Sequence, residues 1–169
     1  PRACVHIVRH VLCVFVAVLC ARARGGVGRW NDVTQAKTIA PAKSAALFVG
    51  IRDFPWDKTL AMVPYAVDDA VDLAYELTME QKPLLVDPKR VVLALSGTPQ
   101  KTESQEKLRK LLAAGATPHN ATTEDILDVL ESQSRSVASN GILIVAFATH
   151  GMRDEGTPSL LKARPTLGH

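Results

Sequence analysis

Three short apolar runs stand out along the second part of the chain, each closed by a Gly- or Pro-containing turn. The first is Ala45-Ala46-Leu47-Phe48-Val49-Gly50-Ile51, the second Arg90-Val91-Val92-Leu93-Ala94-Leu95, and the third Gly141-Ile142-Leu143-Ile144-Val145-Ala146-Phe147-Ala148. A continuous apolar run of this length is how a strand buried on both faces reads. Between the first two, Val67, Ala70, Val71, Ala74 and Leu77 recur at helical spacing. Between the second and third, Leu108, Leu111 and Leu112 predict one helix, and Ile126, Val129, Leu130 and Val137 share a face of another. The order strand, helix, strand, helices, strand implies a mostly parallel sheet with helices on both faces. The expected class is therefore α/β, a three-layer α/β/α arrangement.

Punctuation supports these elements. Thr102 with Gln105 and Thr122 with Asp125 have capping-box spacing at two helix starts, and Gly115 suits a helix end. Ser96-Gly97-Thr98-Pro99 marks the exit turn of the second strand. Asp68 and Asp69 fall near the first helix's start, where the helix dipole favours acids. An acidic site patch is the alternative reading of that pair.

The N-terminal part has a different grammar. Arg2, His6, Arg9 and His10 make a basic, polar start, Val11 to Leu19 is apolar, and Ala21-Arg22-Ala23 is a small-x-small triplet. That three-part pattern is an export leader with cleavage after Ala23. A non-native start and a lipid-attachment reading of Cys20 are the alternatives. The apolar run is too short for a stable membrane span, which takes about 20 apolar residues. Residues 24–43, punctuated by Gly25, Gly26 and Gly28, read as a linker. The expected organisation is leader 1–23, linker 24–43, α/β domain 44–161 and an irregular tail 162–169. The expected location is outside the cytoplasm, secreted or periplasmic.

Charge changes the picture only by its distribution. The 169-residue chain carries 20 basic and 17 acidic side chains. Residues 1–43 hold seven of the basic and one of the acidic groups, which leaves thirteen basic and sixteen acidic residues for the domain. The domain is net acidic, so no electrostatic argument for nucleic acid exists. All three cysteines, Cys4, Cys13 and Cys20, lie in the first twenty residues. The domain therefore holds no disulfide framework and no thiolate metal site. A zinc reading of Cys4, His6, His10 and Cys13 lacks a second ligand pair in a suitable setting. No metal or cofactor is expected.

In an open parallel sheet, ligands bind beyond the carboxyl ends of the strands, where strand order reverses. If the first strand lies between the second and third, Gly50-Ile51-Arg52-Asp53 stands beside Thr149-His150-Gly151 at that rim. Histidine can shuttle a proton near neutrality, and a following glycine lets its N–H approach a reacting oxygen. A structural histidine closing a strand is the plain alternative.

The wider pattern resembles the caspase-like peptidases, which include caspases, metacaspases and many bacterial relatives. The similar stretches are Ala46 to Phe54, Tyr65 to Leu73 with its Asp68-Asp69-Ala70, Leu95-Ser96-Gly97-Thr98, Thr122 to Leu127, and Phe147-Ala148-Thr149-His150-Gly151. Together they cover roughly residues 45–161, in order. The resemblance implies hydrolysis of peptide or protein substrates by a Cys-His dyad. His150 would be the dyad histidine, Gly151 an oxyanion donor, and Asp53 a substrate-binding acid. Ala148-Thr149 departs from the family's usual Ser-Gly, and Val63 is apolar where caspases place a basic residue for an aspartate side chain. The nucleophilic cysteine, which the family carries after a fourth strand, is missing from residues 21–169. The expectation is a chain cut before that cysteine, inactive as it stands, with an unpaired edge on the third strand that invites self-association. A pseudo-enzyme or interaction module on the same fold is the alternative, and a flavodoxin-like ligand binder a weaker one.

Arg153-Asp154-Glu155 reads as a solvated loop, with contact to substrate the alternative, and His119 as part of an exposed polar turn beside Pro118. Asn120-Ala121-Thr122 is a glycosylation sequon, meaningful only in a eukaryotic secretory pathway.

Overall fold

The computed structural model describes residues 12–20, 39–55, 60–154 and 157–160. Its centre is the Ala45–Gly50 strand (β2), every residue of which is buried. Strand Val91–Leu95 (β3) lies parallel on one side of β2, with Phe48 opposite Leu93. The long strand Ile142–Asp154 (β5) lies parallel on the other, with Phe48 opposite Ala146. A short strand Thr117–Asn120 (β4) adds in parallel to the outer edge of β3. The result is the expected α/β class, a four-stranded parallel sheet with helices on both faces.

Alternation along β2 divides the core in two, because successive side chains leave opposite faces of a strand. Leu47 and Val49 pack with Val92, Val145 and with Ile126 and Val129 of helix Thr123–Ser136 (α3). Phe48 packs on the other face with Leu93 and Ile144, with Val71 and Ala74 of helix Ala66–Tyr75 (α1), and with Leu111 of helix Thr102–Ala113 (α2). Burying one such side chain stabilises by about 1.5–3 kcal/mol. Gly50 is what allows α1 to close on the end of β2. A Cβ there would stand 2.9 Å from the Ala66 carbonyl oxygen and from Val67 Cα.

The helix signals resolve unequally. At α3 the Thr122 hydroxyl accepts the Asp125 N–H at 3.1 Å, so this cap forms as the spacing predicts. Gly115, with φ +107°, follows the end of α2, a conformation open to glycine. The box expected from Thr102 and Gln105 does not form. Lys101 is the N-cap, without a side-chain bond of its own, and Gln105 Nε2 donates to the Pro99 carbonyl instead. The missing acceptor comes from α1, where Asp68 takes the Gln100 and Lys101 N–H groups. Helix α1 is shorter than its apolar spacing predicts. It gives way at Glu76 to a π-type turn through Glu80, inside which the buried Thr78 hydroxyl donates to the Ala74 carbonyl.

Three expectations are corrected, and one segment gains a structural placement that leaves its export reading open. The apolar run assigned to a leader's core forms strand Leu12–Cys20 (β1), antiparallel to β5 from Leu12 opposite His150 to Cys20 opposite Ile142. An apolar run of this kind suits a leader and a sheet edge equally, and pairing with β5 satisfies the backbone groups that face that strand. The outer edge of β5 is therefore paired, not open; the outer edge without a strand among the described residues on the far side is that of β4. Residues 117–120, read as a turn around His119, are this exposed edge strand. Finally, β5 does not stop at Ala148 but continues to Asp154 and forms a hairpin with strand Thr157–Leu160 (β6). Arg153 and Asp154 thus lie in a strand and not in a loop.

The amino end of the sheet is bolted by residues read as linker or strand start. Ala40 N–H donates to the Asn140 carbonyl, and Asp87 N–H to that of Pro41. Arg90 reaches the Ser44 carbonyl with Nε and the Ser136 carbonyl and hydroxyl with one terminal nitrogen. Among the described residues no helix is long and apolar enough to cross a membrane. The cleavage triplet at residues 21–23 and the tail at 162–169 lie outside the described residues.

Candidate functional site

Strand order β5-β2-β3-β4 puts the reversal of direction between β2 and β5. The chain leaves β2 toward β3 and β4, then crosses back through α3 to β5. In such sheets the crevice at the carboxyl ends of these two strands is where ligands bind. Gly50 is opposite Ala148 there, and the Ile51 N–H donates to the Ala148 carbonyl at 2.9 Å. The two segments singled out from the sequence, 50–53 and 149–151, are thus neighbours.

His150 is 6% exposed. Its ring stands beside that of Phe54, with centroids 5.2 Å apart and planes tilted by 41°. Its Nε2 lies 2.5 Å from the Ala61 carbonyl oxygen. A carbonyl can only accept, so Nε2 carries the proton, and in the neutral ring the lone pair resides on Nδ1. Ala61 is held in place because its segment folds back on the exit of β2, where Val63 N–H donates to the Arg52 carbonyl at 3.0 Å. The Ala61 carbonyl therefore selects the Nε2–H tautomer and, with the Phe54 ring, helps to orient the imidazole. That arrangement is the general form of an oriented base, in which a third group steers the group that moves the proton.

The opposite wall is built from the β2 and β3 exits. Ser96 N–H donates to the Gly50 carbonyl, and the Ser96 hydroxyl accepts the Arg52 N–H at 2.8 Å. The Arg52 guanidinium pairs with Asp53 at 3.0 Å and donates to the Thr98 carbonyl at 3.3 Å. Asp53, the acid expected to bind substrate, is at the rim with its side chain 43% exposed, but its charge is already met by its neighbour. An exposed pair of this kind stabilises by about 0–1 kcal/mol, so a cationic ligand would compete with Arg52 at modest cost. Gly151 lies within β5, opposite Leu160 of the hairpin, and not in a free loop.

The acidic pair on α1 separates. Asp68 is fully buried and serves the backbone of the β3–α2 connection, as described above. Asp69 lies partly exposed, and burial, opposed by Lys101 and reinforced by Asp72 and Asp68, raises its carboxyl above the ordinary 3.8. Lys101 in turn sits 4.6 Å over the Tyr65 ring. Both acids thus serve the α1–α2 contact and not the crevice beside His150. An open depression beside α2, lined by Thr98, Pro99, Gln105, Leu108, Arg109 and Leu112, contains none of the predicted site residues. Among the described residues, no three His, Cys, Asp or Glu side chains cluster as metal ligands.

Sequence reasoning missed the Ala61 carbonyl and the Ser96 hydroxyl. The first is a backbone group, which any residue could supply. The second belonged to a strand-exit turn whose polar residue carries no signal of its partner. No family model, no curated protein and no solved structure matches this chain.

Proposed function

We propose that residues 45–160 are the histidine-bearing part of a caspase-like cysteine endopeptidase acting on peptide or protein substrates. The observation that carries this reading is the Ala61 carbonyl on His150 Nε2, at the strand-order reversal of a parallel sheet. A thiolate, which residues 21–169 do not supply, would attack the scissile carbonyl. His150, protonated, would deliver its proton to the leaving amine, and the Gly151 N–H would help hold the oxyanion. Loss of one such donor typically costs about 10²–10³ in rate. Phe54 and the 60–63 segment would keep water from the imidazole. The same reading takes residues 1–23 as an export leader.

The test starts from the complete transcript. A product with a cysteine after a strand beyond residue 160 should cleave a peptide library, lose turnover on thiol alkylation, and lose it on His150→Ala. Turnover that persists in His150→Ala overturns the proposal. In the present chain, long-range ¹H–¹⁵N spectra should show His150 protonated at Nε2; an Nδ1–H tautomer removes the observation on which the reading stands.

One observation favours a second reading, a non-catalytic pseudo-enzyme or interaction module. The edge of β5 next to His150 is occupied by β1, antiparallel, over nine residues. A complete transcript without a downstream cysteine, and a product that binds peptides without hydrolysing them, would select that reading.

A further inference from the structure

The sequon Asn120-Ala121-Thr122 lies at a place in the fold that the rim chemistry does not use. Asn120 is the last residue of β4, paired in register with Leu95 of β3. All four residues of β4 are exposed, and β4 is the outermost strand of the parallel sheet. Its neighbour Ala121 is buried and anchors the segment in the core. A large substituent on the Asn120 amide would therefore project from a sheet edge without displacing a packed side chain. Three strand spacings separate β4 from β5, about 14 Å, so the substituent would stand at the same end of the sheet as His150 without lying over it.

We propose that Asn120 is an N-glycan acceptor. The transfer forms a bond from the Asn120 side-chain nitrogen to the anomeric carbon of an oligosaccharide carried on a lipid pyrophosphate. The bond from that carbon to the pyrophosphate oxygen breaks, the amide gives up one proton, and the lipid pyrophosphate leaves. In the folded chain the Thr122 hydroxyl accepts from the Asp125 N–H and starts α3. The acceptor is therefore the entering chain, before α3 is capped. Placed on β4, the glycan would also cover one outer edge of the parallel sheet. The acceptor site rests on the placement of the sequon on β4; its use by the native chain rests on the export reading of residues 1–23, and both are independent of the peptidase reading.

The experiment expresses the full chain in a eukaryotic cell, once with an established secretory signal added and once with only its own N-terminus. With the added signal, protease-protected chain should migrate as a heavier species that peptide-N-glycosidase returns to the unmodified position. Asn120→Gln should abolish the heavier species, Thr122→Ser should keep it, and Ala121→Pro should remove it, since proline blocks the sequon. Luminal chain with no heavier species, or a heavier species that survives in Asn120→Gln, overturns the proposal. Modification with the added signal but not with the native N-terminus supports the acceptor site and overturns the export reading alone.

Discussion

Asp68 on α1 holds the N-terminus of α2: its carboxylate accepts the Lys101 N–H at 2.7 Å and the Gln100 N–H at 3.1 Å while wholly buried. A helix start otherwise satisfied by its own cap is here satisfied from 33 residues away. Asp68→Ala leaves two N–H groups without their acceptor and should cost about 1.5–3 kcal/mol, the range for hydrogen bonds to a charged group. Urea denaturation reads it directly. Thr102→Ala, which removes the capping residue expected from the sequence, should stay within about 0.5 kcal/mol of the parent. Equal losses in the two variants would refute the assignment.

Gly50→Ala should be destabilising despite its small size. The added methyl meets backbone atoms of Ala66 and Val67 at 2.9 Å, and backbone cannot rotate away as a side-chain tip can. Overpacking of this kind costs about 1–3 kcal/mol. A lowered thermal midpoint with loss of amide protection at the start of α1 is the expected result.

The raised carboxyl of Asp69 has a pH consequence. The folded protein holds this proton more tightly than the unfolded chain does, so stability falls as pH rises from the ordinary 3.8 through the raised value. Above that window the penalty is constant. Asp69→Asn should therefore match the parent in strongly acid solution and exceed it at neutral pH. Urea midpoints of both proteins across the acid range check this, and a gap that widens toward low pH has the wrong sign.

Arg90 ties the starts of β2 and β3 to the end of α3 through Ser44 and Ser136. A lysine keeps the charge but cannot reproduce a planar fork that reaches separate acceptors. Arg90→Lys should thus lose about 1 kcal/mol, the worth of a typical net hydrogen bond. Hydrogen exchange should quicken at residues 44–46 and 134–138 before other parts of the sheet. Uniform quickening would point to a global effect instead.

Much of this architecture was written in the chain itself. The runs at 45–51, 90–95 and 141–148 are so apolar that burial on both faces is their natural state, and the helical spacings between them leave parallel pairing as the simple solution. Thr122 caps α3 because the bond spans three residues, well within local reach. What needed the folded molecule lies at longer range. Thr117-Pro118-His119-Asn120 has no strand pattern and becomes β4 only because β3 offers it an edge. The run at 12–20 has a strand's composition and a leader's, and only the folded molecule shows its residues paired with β5. The Ala61 carbonyl reaches His150 across 89 residues, and a backbone oxygen has no letter in the sequence. Hydrophobic periodicity records which positions leave water. Which polar groups then meet is fixed by closure of the chain, because the energy of each such contact depends on partners that only the tertiary fold brings within a hydrogen bond's reach.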